Sequence, residues 1–243
     1  MESQIFILFA IFVVAILYSS VGHGGASGYL AVMALLAAAP EQTRPAALVL
    51  NVFVASIAAF QFYRSGYFSW RTFLPFAATS IPFAFFGGMI TLPTNLYRPV
   101  LGAVLLFAAF RLAWSFSKDM PEMKQPILAV ALLIGAGIGL LSGLVGVGGG
   151  IFLTPVLLLM NWSETKTAAG VSALFILVNS ASGLAGNYAQ VSVLPASSLA
   201  WIGAAITGGL VGSLLGAKKL ESMMLRRVLA AVLVFAAVKL IFV

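Results

Sequence analysis

The chain has 243 residues, of which 62% are hydrophobic and 8% charged, and its formal net charge is +7. A soluble domain carries about 25% charged residues, so this composition excludes a soluble domain. One bilayer crossing takes about 20 apolar residues, and residues 3–40, 125–163 and 167–217 contain no Asp, Glu, Lys or Arg. The sequence therefore predicts an all-α polytopic membrane protein with little length left for a catalytic domain outside the membrane.

Proline, glycine clusters and charged residues divide the apolar sequence into ten predicted segments. In chain order these are 4–21, 26–39, 45–63, 72–91, 99–116, 126–145, 150–161, 167–186, 197–216 and 224–243. Segments two and seven are short, since about 14 residues of helix rise only about 21 Å. They are predicted either to cross or to form re-entrant hairpins with the preceding segments.

The two halves of the chain resemble each other. Residues 21–25 match residues 145–149 at an offset of 124, and residues 100–109 match residues 228–237 at an offset of 128 with eight of ten positions identical. Two blocks in the same order at nearly the same offset indicate duplication. Five segments per half would make the repeats inverted.

The domain organisation follows from this duplication. We expect an N-terminal repeat half at 1–116, a cytoplasmic linker at 117–125 and a C-terminal repeat half at 126–243. Alternation of ten segments places Arg44, Arg98 and Lys239 on one face and the ten other cations on the opposite face: Arg64, Arg71, Arg111, Lys118, Lys124, Lys166, Lys218, Lys219, Arg226 and Arg227. The positive-inside rule then puts both termini outside the cytoplasm.

A glycine-rich break follows the first segment of each half. The first break contains Gly22, His23, Gly24 and Gly25 and leads to Ser27; the second contains Gly146, Gly148, Gly149 and Gly150. Each break begins a new helix, whose N–H groups and positive dipole end are suited to an anion. Close helix packing through small residues is the alternative interpretation.

The ionisable residues point to an anion as the transported species. All six acids fall in predicted loops or at the termini, so no carboxylate is left within the segments for Na⁺ or a proton relay. With no cysteine and a single histidine, the sequence offers no metal centre, and we expect no cofactor. The cations occur singly or in pairs, so we expect no nucleic-acid partner.

Polar side chains on the segments are candidates for the shell of the site. His23 is a candidate for proton coupling, or else a neutral imidazole hydrogen-bonded at the break. Hydroxyl and amide groups on segments three and eight either bind the anion or hold helices together. These groups are Asn51, Ser56, Ser172, Asn179 and Ser180.

Residues 141–155, Leu-Ser-Gly-Leu-Val-Gly-Val-Gly-Gly-Gly-Ile-Phe-Leu-Thr-Pro, with a degenerate copy at 19–25, resemble the TauE/SafE family. The resemblance covers nearly the whole chain. It implies a secondary transporter for sulfur-containing anions such as sulfite, sulfoacetate or thiosulfate in a prokaryotic inner membrane. The first copy differs from the second in having His23, Ala26 and Ala31 where the second has Val147, Gly150 and Pro155.

Combining both lines, we expect a transporter with alternating access that holds an anion where the short helices begin. The expected partners are the small anion and the lipid bilayer, and the oligomeric state, including a homo-oligomer, stays open. A passive anion channel and a non-transporting membrane subunit are the alternatives. An enzyme is not expected, because the sequence has no intramembrane acid pair and no metal cluster.

Overall fold

A computed structural model of the chain describes residues 2–20, 22–35, 40–113, 123–188, 194, 198–218 and 223–242. Within these residues every regular element is a helix, which confirms the all-α prediction. The helices are α1 (Glu2–Ser19), α2 (Ala26–Leu35), α3 (Pro40–Arg64), α4 (Trp70–Met89), α5 (Thr94–Ala113), α6 (Leu128–Val145), α7 (Gly150–Leu159), α8 (Thr165–Gly186), α9 (Ser198–Lys218) and α10 (Met223–Phe242).

Five of these helices are long and apolar enough to cross a membrane. They contain the stretches Gln42–Arg64, Trp70–Met89, Leu128–Val145, Thr165–Gly186 and Ser198–Leu215. Large apolar side chains point outward, including Phe9 at 64% and Leu133 at 75% exposure. Such a surface fits lipid in place of water. Helices α2 and α7 have 10 residues each, as the short predicted segments required.

Helices α4 and α6 pack against each other along a row of glycines. Gly139 and Gly143 lie one turn apart on α6, and a Cβ at either would collide with the backbone of Ser80 or Ala84 on α4. The two helices run in the same direction, because the residue numbers of the contacts increase together, from Gly139 with Ser80 to Gly143 with Ala84. Small residues of this kind allow helix backbones to approach closely in membranes.

Helices α1 and α9 pack in the same manner. By their order in the two expected halves, α1 corresponds to α6 and α9 corresponds to α4. A Cβ at Gly208 of α9 would collide with the carbonyl oxygen of Phe12, and one at Gly212 would collide with that of Ile16. The pair α1 and α9 therefore repeats the parallel packing of α6 and α4.

Helices α3 and α8 form the centre of the molecule and run in opposite directions. Gly183 near the end of α8 lies beside Leu48 near the start of α3, whereas Gly170 lies beside Phe62 near the end of α3. Between these points Ala58 and Ala59 of α3 share a buried cluster with Ala173 of α8.

Arg44, which precedes the third predicted segment, lies inside α3 in the structure. Helix α3 begins at Pro40 because proline is well suited to a first helical position, whose N–H has no partner in any case. Arg44 is only 3% exposed, and its guanidinium donates to the carbonyl oxygens of Gly87, Gly88 and Ile90 at 2.6–2.8 Å. These carbonyls end α4, where partial negative charge favours a cation.

The two expected halves do not have separate cores. One buried cluster joins Tyr29 and Leu30 of the N-terminal half to Val147, Ile151 and other residues of the C-terminal half. Residues 117–122 of the expected linker lie outside the described residues. The backbone N–H of Lys124, near the end of that linker, donates to the carbonyl oxygen of Asn161 at 2.9 Å.

The close packing of α4 on α6 predicts different effects for two alanine substitutions on α6. Gly143→Ala is expected to lower the free energy of unfolding by about 1–3 kcal/mol, because the added methyl group collides with the α4 backbone. Gly137→Ala is the matched control, since nothing lies within 4 Å of a Cβ there. It should leave stability unchanged or raise it by up to about 1 kcal/mol. Thermal unfolding in detergent measures both, and equal stabilities would contradict this packing.

Candidate functional site

The two glycine breaks share a positive φ at two corresponding positions, but Gly148 has a φ of +80° whereas its counterpart Gly24 has no positive φ. Gly22 and Gly146 have φ of +76° and +87°, and Gly25 and Gly149 have φ of +96° and +83°. These angles are in the left-handed region, where glycine is the residue with the least steric cost. At these positions, each break lets the chain turn away from one helix and begin the next.

Both breaks meet at the middle of the central helices. A Cβ at Gly24 would collide with the Oδ1 atom of Asn51 and would lie 2.9 Å from Ile176 Cγ2. A Cβ at Gly148 would lie 2.6 Å from Asn51 Nδ2 and 2.9 Å from the same Ile176 atom. Residues from opposite halves of the chain therefore approach one pair of side chains on α3 and α8.

Asn51 connects the start of one short helix to the break before the other. It is fully buried, and its Oδ1 accepts a hydrogen bond from the Ala26 N–H at 3.0 Å, where α2 begins. Its Nδ2 donates to the carbonyl oxygen of Val147 at 3.2 Å and to Ser180 Oγ at 3.3 Å. Asn51 thus takes up one of the N–H groups at the start of α2 that were expected to bind an anion.

Among the described residues, no side chain on another helix is seen to accept an N–H group at the start of α7 as Asn51 does at α2. Gly149 is the N-cap residue of α7 and has no side chain that could cap it. The N–H groups of Phe152 and Leu153 turn back to the Gly149 carbonyl oxygen at 3.1 and 3.2 Å. Gly150 packs against the Ile176 side chain. The start of α7 consequently retains the polarity that favours a negatively charged oxygen.

His23 reaches from the first break to the second half of the chain. Its Nε2 lies 3.4 Å from Thr154 Oγ1 on α7, and Thr154 Oγ1 lies 2.8 Å from Ser172 Oγ on α8. Thr154 also donates to the carbonyl oxygen of Gly150 at 3.1 Å. His23 is half-buried, whereas Gly22 and Gly24 on either side of it are buried. This arrangement places an imidazole and two hydroxyl groups beside the start of α7.

A second hydroxyl pair lies on the first-half side. Ser27 Oγ, in the first turn of α2, is 2.7 Å from the hydroxyl of Tyr18 on α1. Both side chains are 2% exposed. The Tyr18 ring also lies edge-on to the His23 ring, with 6.5 Å between ring centroids.

Other expected site residues do not contact the breaks through their polar atoms. Ser56 Oγ donates to the Val52 carbonyl oxygen of its own helix at 2.6 Å. Asn179 Nδ2 likewise donates to the Phe175 carbonyl oxygen at 2.8 Å, and its buried Oδ1 has no partner among the described residues. Gly146 belongs to the second break itself, and its N–H caps the end of α6 by donating to the Ser142 carbonyl oxygen.

Sequence reasoning missed Tyr18 and Thr154 as polar residues near the breaks. Thr154 follows Gly150 by four residues, so helix periodicity places it on the same face as the break. Its position within the quoted motif was a usable signal. Tyr18 precedes Gly22 by four residues, but a tyrosine at the end of an apolar segment is also typical of a membrane interface.

The polar groups described at the breaks are neutral hydrogen-bond donors, amides and one imidazole. Glu164, which immediately precedes α8, is exposed. Among the described residues no group of three or more His, Cys, Asp or Glu could hold a metal ion. Backbone N–H groups, hydroxyls and an imidazole can all donate hydrogen bonds to a small oxyanion.

Comparisons with known proteins agree with the membrane character of the fold. The family model described as sulfite exporter TauE/SafE matches residues 7–240. The probable membrane transporter protein y4hK of Sinorhizobium fredii is 39% identical over 236 residues, covering 96% of each chain. The probable membrane transporter protein YdhB of Bacillus subtilis is 24% identical over 179 residues, covering 70% of this chain and 73% of that one. No solved structure gives a significant match.

Two fully buried asparagines on the central helices provide a matched test of the connection between the breaks. Asn51→Leu should lower the free energy of unfolding by about 1–3 kcal/mol, because it leaves Ala26 N–H and the Val147 carbonyl without their partner. Asn179→Leu should cost less, since that side chain bonds only to its own helix. Thermal unfolding of both variants in detergent gives the comparison. A larger loss for Asn179→Leu would refute the connecting role of Asn51.

Proposed function

This chain belongs to the sulfite exporter TauE/SafE family, and we propose that it is a secondary transporter of a small sulfur-containing oxyanion such as sulfite, sulfoacetate or thiosulfate. It is an integral membrane protein and a membrane transporter, not an enzyme. The anion is held where the short helices begin, and alternating access moves it across the cytoplasmic membrane. Both termini lie outside the cytoplasm, as the distribution of Lys and Arg predicts.

One observation carries the anion site: the two breaks meet beside Asn51 and Ile176. Discontinuous helices that begin within a transporter direct their positive ends at an anionic substrate. Helix α7 begins at this place without a side-chain cap. The Thr154 hydroxyl, one turn after Gly150 on α7, and the Ser172 hydroxyl, one turn before Ile176 on α8, are bonded to each other beside this place.

The packing of the helices supports two inverted halves. Helices α3 and α8 hold corresponding places in the halves and run in opposite directions, as Leu48 beside Gly183 and Phe62 beside Gly170 show. The fourth helix of each half packs against the first helix of the other half, since α4 packs against α6 and α9 packs against α1. In transporters with inverted repeats, one repeat moves against the other around a central site. Rocking about the α3 and α8 contact would then expose the breaks to each side in turn.

Flux measurements on purified protein in liposomes test the proposal. Saturable uptake of sulfite, thiosulfate or sulfoacetate, with a response to an imposed pH gradient, is expected of a coupled carrier. Gly148→Ala should abolish most of this uptake, because a Cβ there lies 2.6 Å from Asn51 Nδ2 and 2.8 Å from Ser180 Oγ. Gly137→Ala, whose Cβ meets nothing within 4 Å, is the matched control.

Other results of the flux measurement have distinct meanings. Uptake that does not saturate and ignores the gradient would identify a passive channel. No uptake of any of the three anions by folded protein would contradict the proposed substrate class. Uptake of all three by Gly148→Ala at the rate of the parent protein would exclude the meeting point of the breaks as the site.

Proton coupling through His23 has its own test. His23→Gln removes the titrating imidazole but retains an amide that can hydrogen-bond Thr154 Oγ1. A histidine titrates near neutrality, so uptake by the parent protein should vary with pH between about 6 and 8, whereas uptake by the variant should be flat. Initial rates of thiosulfate uptake across this range measure the effect, because thiosulfate keeps its double negative charge there, whereas sulfite gains and loses a proton. An unchanged pH profile in the variant would remove His23 from the coupling step.

A further inference from the structure

The hydroxyl group of Tyr29 lacks the partner that a buried hydroxyl normally has. Tyr29 lies on α2 and is 0% exposed, and its Oη makes no hydrogen bond with the described residues. Burial of a hydroxyl without a partner costs free energy, so each such group in a native protein calls for an explanation. A ligand that accepts a hydrogen bond from the phenol would supply one.

The phenol lies against the backbone at the start of α2. Tyr29 follows Gly25 by four residues, and side chains of a helix lean toward its N-terminus. A Cβ at Gly25 would accordingly lie 2.8 Å from Tyr29 Oη. Gly25 also has a φ of +96°, and its carbonyl oxygen accepts the Tyr29 N–H at 3.0 Å. Glycine at position 25 thus provides both the turn and the space for the phenol.

The surroundings of Tyr29 favour a negatively charged ligand. The start of a helix attracts anions, and the phenol O–H is a donor. The Ala26 N–H already donates to Asn51 Oδ1, and Ser27 Oγ pairs with the Tyr18 hydroxyl. Tyr29 Oη therefore is the described side-chain hydroxyl at this helix end that remains without a partner.

The second half of the chain has no equivalent group. At the offset of 124 residues the counterparts of Ser27 and Tyr29 are Ile151 and Leu153. Leu153 is also fully buried. A phenol contact would therefore come from one side of the site only, which distinguishes the two helix ends chemically.

We propose that Tyr29 is a substrate-binding residue whose phenol donates a hydrogen bond to an oxygen of the transported anion at the start of α2. The inference rests on the proposed function. A sulfur oxyanion has several acceptor oxygens, so one can accept from Tyr29 while the others bind further donors. Tyr29 then contributes to selection of an oxyanion.

Tyr29→Phe removes only the hydroxyl oxygen and tests the contact. The KM for sulfite uptake in proteoliposomes should rise about tenfold or more, as expected for loss of a hydrogen bond to a charged group. Tyr63→Phe is the matched control, because Tyr63 is 58% exposed on α3. Its KM should stay within about twofold of the parent value, the range of an ordinary surface substitution.

Thermal unfolding separates binding from a structural role. Tyr29 Oη makes no hydrogen bond with the described residues, so Tyr29→Phe should unfold at the same temperature as the parent protein or higher when no anion is added. Added sulfite should raise the Tm of the parent protein more than that of Tyr29→Phe. Should the phenylalanine variant fail to fold, Tyr29→Leu, which introduces the residue found at Leu153, takes its place in both measurements.

The outcomes distinguish this inference from the proposed function. If the parent protein takes up sulfite and Tyr29→Phe has the same KM and the same sulfite-dependent rise in Tm, the Tyr29 contact is overturned and the function stands. If sulfite, thiosulfate and sulfoacetate neither cross the membrane nor raise the Tm of the parent protein, the function fails and the inference fails with it.

Discussion

Within a bilayer every backbone N–H and C=O group needs a partner in the protein, and the two glycine breaks are where helical pairing stops. Asn51 supplies partners to both breaks, since its amide binds the Ala26 N–H and the Val147 carbonyl oxygen. One side chain thereby satisfies the start of α2 and the turn before α7. The breaks meet around this side chain between α3 and α8, and His23 of the first break reaches Thr154 of α7.

The glycines serve two separate purposes. Gly139 and Gly143 are ordinary helical residues that let α6 lie directly on the backbone of α4. Gly146 and Gly149 have positive φ and turn the chain. Helix packing and a break in the helix are therefore not exclusive explanations of this glycine-rich region, because different positions provide each.

Much of the fold was predictable because short stretches of sequence determine where the helices begin and end. Apolar runs and glycine clusters placed the helices, and a match at an offset of 124 residues located both breaks. The partners across the fold were not predictable. Asn51 meets Val147 from a distance of 96 residues in sequence, and His23 meets Thr154 from a distance of 131. The partners of Arg44 were not predictable either, since the carbonyls that bind it belong to a helix 43–46 residues away.

The hydrogen bonds of Asn51 have a consequence for the balance between the two orientations of the transporter. Its counterpart at the offset of 124 residues is Phe175, which has no side-chain polar group. Exchange of roles between the halves therefore cannot reproduce the bonds to Ala26 and Val147. In a carrier of the proposed kind the inward-facing and outward-facing forms would differ in free energy, so one would predominate at rest. An anion arriving on the favoured side would bind without first paying for reorientation.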